Sequence, residues 1–368
     1  SSFGELSLLL VASLTIMVGA ALAPGLNTIS QALGVSEYAT FLITLPALGA
    51  ILFAPIFGAL IDSIGARRTL LMSLFGYFLF GAGGALLYGA WPVALNRIIL
   101  GGFAAGSMAS GTALISLWYA GPKRLSMIAK QGMAIELGGA IFLFLGGILS
   151  EFSWKGPFGL YALALICFIL VITSIPSSKE RTEEVAIDHS DQALPMRSVI
   201  TYTILSMALF FSLFVIIPQH LAELQFSEAQ TGYLLSFISA TAVVAAMIMP
   251  RMVGRFDESI TLTVSFISFT LAHALLAYSS STSMLIFAAL SAGIGFGFSI
   301  PLLNNETVKR SSDKYLGRYL SWFAMAVFFG QFITSTMEFI PLSFIGIFKA
   351  CAFIGIVCAG LISRFKLG

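Results

Sequence analysis

Apolar stretches of about eighteen residues or more recur along the whole chain, and each is long enough, as a helix, to cross a hydrocarbon core about 30 Å thick. Only 10% of the 368 residues are charged and 58% are hydrophobic, whereas soluble domains carry about 25% charged residues. A soluble fold cannot hide that much apolar surface. The chain therefore reads as an all-α membrane protein with twelve transmembrane helices, at about 6–30, 37–60, 69–89, 92–117, 126–149, 156–175, 198–222, 229–250, 259–279, 283–305, 318–338 and 342–363. The longest polar segment, Ser177 to Arg197, separates six spans from six. The expected organisation is a six-helix bundle over 1–175, a linker over 176–197 and a second six-helix bundle over 198–368. Leu6 to Ala23 has no basic flank and is followed by similar runs, so it is expected to be a retained first span, not a signal peptide.

Charge orients the chain. With a cytoplasmic amino terminus, the cytoplasmic loops and tail gather the Lys and Arg residues, and only Arg97, Lys155 and Lys349 of the 19 fall elsewhere. Both termini are then cytoplasmic. The net charge is +2 without a basic tail or patch, so nucleic acid is not expected as a partner. Cys167, Cys351 and Cys358 lie inside apolar runs without metal-ligand spacing and read as small core residues. No metal or cofactor is expected.

The halves resemble each other, as repeats do in many transporters. Leu33-Gly-Val-Ser36-Glu37 opens the second span and Leu224-Gln-Phe-Ser227-Glu228 opens the eighth, 191 residues later. Each serine is expected to cap its helix, and Gln230 to complete a capping box with Ser227. Pro24 has a counterpart in Pro218. The turn at Gly58 to Asp62 has a degraded one in Gly254-Arg255-Phe256-Asp257.

That turn is the polar, glycine-spaced stretch Gly58-Ala-Leu-Ile-Asp62-Ser-Ile-Gly65-Ala-Arg67-Arg68. Asp62, Arg67 and Arg68 are expected to tie its two flanking helices together through charge-assisted hydrogen bonds, with the small residues permitting close approach. The spacing of Gly58, Leu60, Asp62, Gly65 and Arg67 resembles the loop signature of the major facilitator superfamily, although Ser63 and Ala66 stand where relatives usually carry basic residues. The resemblance implies two pseudo-symmetric six-helix bundles and a conformational gating role for this loop.

Arg97, in Asn96-Arg97-Ile-Ile-Leu-Gly101-Gly102-Phe-Ala-Ala-Gly106, is similar to a second signature found in proton-coupled antiporters of that superfamily, with Leu100 where a Gln is usual. The resemblance implies that Arg97 modulates proton binding or contacts substrate; its shallow depth also suits snorkelling to the interface. Glu136 is the carboxylate placed well within a membrane run. Gly132, Glu136, Gly139 and Gly146 share one helical face, made for packing on protein. A carboxyl group there can bind and release a proton if alternately wetted, or it can be a buried residue with one hydrogen-bonded partner. Arg97 and Glu136 differ in depth by about 13 Å, so direct pairing is not expected. Gly138, Gly139, Gly146 and Gly147 fit the glycine spacing of an exporter signature, but its Gly-Pro pair is missing because no proline occurs between Pro122 and Pro157.

Asn27, His220, Asn304, Asn305 and Gln331 fall on spans that line the cavity in relatives, so each either contacts substrate or bridges helices. His273 reads as a satisfied structural histidine, and Glu338 with Lys349 as an ion pair or a snorkelling couple. No Gly-x-x-x-x-Gly-Lys-Ser/Thr loop is present, which argues against ATP as the drive. An intramembrane enzyme or sensor would need a cluster such as His-Glu-x-x-His, which is absent. The expectation is therefore a monomeric secondary transporter, not an enzyme, in a bacterial inner membrane. Its partners would be a small organic solute, protons and the lipid bilayer, with export by antiport expected. The alternative is uptake, by symport or facilitated diffusion, of a solute such as an organic acid, sugar or siderophore.

Overall fold

Proline shapes the first two spans. Pro24 has no N–H for the Ala20 carbonyl and its ring crowds that turn. The first span is accordingly helical over Ser2–Ala20 (α1), tightens into a 3-10 turn at Ala23–Gly25 and resumes over Leu26–Ala32 (α2). Together they form one candidate membrane span, Phe3–Ala32, where the first span is expected. The second span opens with a 3-10 turn at Ser36–Tyr38 and continues as α3, Phe41–Ile64, with Pro46 and Pro55 inside it. Ser36 lies within the turn, and neither element has a side-chain cap, so the expected serine cap is not made.

The computed structural model describes residues 2–176, 195–226, 228–278, 281–334, 336–337 and 340–364. Most of the expected linker, Ser227 and Glu338 lie outside them. The remaining helices are α4 (Ala66–Gly83), α5 (Ala90–Trp118), α6 (Gly121–Phe152), α7 (Leu163–Ser174, after a 3-10 stretch at Gly156–Ala162), α8 (Met196–Glu223), α9 (Glu228–Phe256), α10 (Glu258–Ala277), α11 (Thr282–Lys309), α12 (Leu316–Thr334) and α13 (Phe344–Ile362). Among the described residues eleven helical segments are long and apolar enough to cross a membrane. The eleventh expected span is α12, 19 residues long, made more polar by Arg318 and Gln331.

Contacts divide the chain into two compact units. The first holds the described residues of Ser1–Ala120, Ala134–Glu184 and Ser311–Phe329, and the second those of Gly121–Met133, Val185–Arg310 and Gly330–Gly368. Relative to halves at 1–175 and 198–368, the opening turns of α6 and most of α12 are exchanged.

Each unit is built on a helix of small residues. In the first, α5 is buried almost continuously from Leu100 to Ile115 and packs on α1, α3 and α4. Gly49 and Gly101 let two backbones meet: a Cβ on Gly49 would lie 1.7 Å from the Ile98 carbonyl oxygen, and one on Gly101 1.8 Å from that of Pro46. In the second unit α11 takes the same part, with Gly293 and Gly297 set against Thr241 and Ala242 of α9. Small residues serve here because helices in lipid gain by close van der Waals approach, not by hiding oil from water.

The repeat of the polar turn keeps only a local role. Asp257 has φ 117° and its Oδ1 accepts from the Ile260 N–H at 2.7 Å, capping α10. A Cβ on the neighbouring Gly254 would meet nothing within 4 Å, so no second helix is drawn against this turn there. Asp257→Ala should lower stability by about 1 kcal/mol through loss of the cap. Asp257→Gly should be milder, since glycine tolerates the positive φ. Thermal midpoints in detergent check the order wild type, Gly, Ala; equal midpoints would remove the cap from the account.

Candidate functional site

Helices α3 and α4 are joined by Gly65 alone, at φ 91° and ψ 155°, where glycine is required by backbone conformation and not by space. So tight a joint turns its polar neighbours outward onto other helices. Asp62 Oδ1 accepts from the Gly317 N–H at 2.6 Å and Oδ2 from the Arg318 N–H at 3.0 Å, at the start of α12. Arg67 Nε donates to the Ile175 carbonyl at 2.8 Å and Nη2 to that of Ile172 at 3.3 Å, at the end of α7. An acid thus meets the positive end of one helix dipole and a base the negative end of another, each worth about 0.3–1 kcal/mol when exposed. The expected tie between α3 and α4 is corrected: the charges clamp α12 and α7. Arg68 is exposed. Gly58 makes the first clamp possible, since a Cβ there would lie 2.7 Å from the Gly317 carbonyl oxygen.

Arg97 is 1% exposed, so it does not snorkel. Its Nε donates to the Leu42 carbonyl at 2.9 Å, Nη1 to the Tyr161 hydroxyl at 3.1 Å and Nη2 to the Val18 carbonyl at 2.5 Å. The Tyr161 hydroxyl donates to the same Val18 oxygen at 2.9 Å. These partners are all neutral. A buried guanidinium is tolerable only when its donors are met.

The glycine face of α6 does pack on protein. A Cβ on Gly132 would meet Pro301 of α11; one on Gly139 would meet Ile16, and one on Gly146 the Ala21 carbonyl oxygen, both on the first span. Glu136 on this face is 5% exposed and has an interaction partner within the fold. The opening turns of α6 are held on α11 by polar contacts, Arg124 Nε to Asn305 Oδ1 at 3.0 Å and Asn304 Nδ2 to Gln131 Oε1 at 3.4 Å. Asn304 and Asn305 are thus buried as helix bridges.

His220 is 6% exposed and its ring edges meet Phe348 and Phe344, with centroids 5.3 and 6.2 Å away. It faces α13. Asn27 on α2 is exposed, and Gln331 on α12 is half-buried with its carbonyl accepting from the Thr334 hydroxyl. His273 contacts the Phe269 carbonyl through Nδ1 at 2.8 Å and Ser212 Oγ through Nε2 at 3.0 Å, which fits the structural role read for it. Lys349 lies over the Tyr278 ring, 5.0 Å from its centroid. In the first unit a cavity of about 460 Å³ is lined by Val35, Tyr38, Phe41, Leu42, Leu45, Ala90, Trp91, Val93 and Ala94. None of the polar residues singled out from sequence lines it.

Sequence reasoning missed one charged cluster. Glu306 is 0% exposed; it pairs with Arg310 and lies 3.3 Å from Lys309 Nζ, which bonds Glu258 at 2.6 Å. Its signal was the spacing of Glu306 with Lys309 and Arg310, three and four residues on, which puts them on one helix face. Span boundaries drawn at 305 hid it.

A family model described as the Major Facilitator Superfamily matches residues 8–335. The chain is 27% identical over 281 residues to the class B tetracycline resistance protein of Escherichia coli, covering 71% of this chain and 68% of that one. It is 24% identical over 331 residues to the multi-drug resistance efflux pump PmrA of Streptococcus pneumoniae, covering 81% of each. The solved structure of the proton:xylose symporter XylE superposes with a TM-score of 0.77 at 14% identity, covering 100% of this chain and 94% of that one, a likeness of fold.

Proposed function

The chain belongs to the Major Facilitator Superfamily, and on that premise we propose that this multi-pass membrane transporter exports a small organic solute by alternating access in exchange for protons. Relatives named for resistance and efflux, matched over 71% and 81% of the chain, support the direction. The observation that carries the coupling is Glu136, a carboxylate 5% exposed on the glycine face of α6. Such a group can alternate between protonated and ionised forms as solvent reaches it. Asn27 in the first unit and Gln331 in the second are each, taken separately, proposed as solute contacts, whereas His220, Asn304 and Asn305 are closer to helix contacts. A monomer in a bacterial inner membrane, with two six-helix halves over 1–175 and 198–368 and both termini cytoplasmic, completes the proposal.

Everted membrane vesicles from overexpressing cells test it. Tetracycline and a panel of sugars and organic acids are offered with and without an uncoupler. Uptake that the uncoupler abolishes supports export. Accumulation only in right-side-out vesicles would favour the second reading, uptake of an organic acid or sugar, which the absence of proline from α6 beyond Pro122, where the exporter signature has its Gly-Pro pair, supports.

The loop residues Gly58, Asp62, Gly65, Arg67 and Arg68 act in this reading on the balance between conformations. Asp62→Asn and Arg67→Ala each remove a clamp of about 0.3–1 kcal/mol, so turnover should fall two- to fivefold, a factor of about that energy, with solute affinity and expression unchanged. Turnover at the wild-type rate would remove the loop from the transport cycle.

A further inference from the structure

We propose that Arg97 is a positioning residue: its guanidinium fastens the break before Pro24 in the first span to the carbonyl that Pro46 leaves without a donor in α3, and so sets the angle at which α2, with Asn27, leaves α1. In α3 the Leu42 carbonyl would take its helical bond from residue 46, four positions on, but Pro46 has no N–H. Arg97 Nε stands in its place at 2.9 Å. In α1 the Val18 carbonyl would take its bond from Leu22, whose N–H turns instead to the Gly19 carbonyl as the helix tightens before Pro24. Arg97 Nη2 and the Tyr161 hydroxyl replace it, and Nη1 holds Tyr161 in place.

One planar group with five donors can fill vacancies on two helices at once, which a lysine ammonium at a single point cannot. The close crossing at Gly49 and Gly101 brings the Leu42 carbonyl within reach of α5. The bonds of Arg97 run to carbonyls and a phenol, not to a carboxylate. In this reading Arg97 governs the placement of α2. The consequence for substrate contact at Asn27 rests on the transport reading; the fastening itself does not.

The test needs no transported solute, so it stands or falls apart from the export proposal. Thermal midpoints in detergent are compared for wild type, Arg97→Gln, Pro46→Ala and the double variant. Pro46→Ala returns an N–H to the Leu42 carbonyl, so the double variant should recover at least half of the midpoint lost by Arg97→Gln. If the double variant is recovered folded where Arg97→Gln alone is not, that is the same rescue. Losses that simply add would overturn the proposal.

The second arm introduces Asn27→Cys into a background with Cys167, Cys351 and Cys358 replaced by Ala, and follows its reaction with an impermeant maleimide. Arg97→Gln and Tyr161→Phe should each change the rate at least threefold relative to the Asn27→Cys parent, by the same factor at pH 6 and pH 8. Tyr161→Phe, which keeps the charge, decides the matter alone if both Arg97 variants fail to fold. Unchanged rates, or a factor that moves tenfold with pH, would overturn positioning, the latter in favour of proton coupling.

Discussion

Glu136→Gln should abolish accumulation driven by a pH gradient while leaving solute exchange across the membrane intact. Glutamine keeps the volume and a hydrogen-bonding oxygen but has no ionisable proton. If one proton is exchanged per neutral solute, a gradient of one pH unit sustains about tenfold accumulation, since about 1.4 kcal/mol is a factor of ten. The variant should show a ratio of about one under the same gradient, because nothing ties solute movement to the proton. Counterflow of labelled solute in reconstituted vesicles should persist within about threefold of wild type, as alternating access itself does not need the charge. Two results would sink the assignment: retained gradient-driven accumulation, or loss of counterflow together with loss of folded protein. The second would make Glu136 a packing residue.

Gly101→Ala should be, with Gly49→Ala, among the most destabilising single-carbon additions in the first unit. Helix propensity favours alanine over glycine by about 1 kcal/mol, so by local rules the change is an improvement. The added Cβ would instead lie 1.8 Å from the Pro46 carbonyl oxygen and 2.5 Å from its carbon, both backbone atoms that cannot rotate away. Overpacking of a tight contact costs about 1–3 kcal/mol and sometimes more, and here it would also pull the Leu42 carbonyl from Arg97. The clash therefore outweighs the propensity gain. Gly360→Ala on α13 is the control, since a Cβ there meets nothing within 4 Å. The midpoint of Gly101→Ala should fall by several degrees while that of Gly360→Ala stays or rises. Equal behaviour of the two variants would mean that α3 and α5 do not cross as closely as described.

Several features of the candidate site were legible because they are periodic or local. The shared face of Gly132, Glu136, Gly139 and Gly146 follows from helical spacing, and the structure packs those glycines against Pro301, Ile16 and Ala21. The importance of Gly65 followed from its place in a polar turn between two apolar runs. The partners of the charges were not legible. Asp62 reaches Gly317 and Arg318, more than 250 residues away in sequence, and Arg67 reaches Ile172 and Ile175. All four acceptors and donors there are backbone groups, which carry no sequence signal. Arg124 with Asn305 was missed for a related reason: at 181 residues apart, a base and an amide have no motif in common.

Composition and spacing by themselves determined that this chain is a bundle of membrane-crossing helices, because a run of apolar residues is a sufficient statement about transfer into lipid. The prolines also leave particular carbonyls without a helical donor, since Pro24 and Pro46 lack an N–H in any fold. Only the tertiary structure decided which groups take over the carbonyls disturbed near those prolines, and it chose the guanidinium of Arg97 and the hydroxyl of Tyr161. The physical reason is that a bare carbonyl must be satisfied wherever water is absent. Which side chain does so depends on how closely two helices cross, and that distance is set by packing.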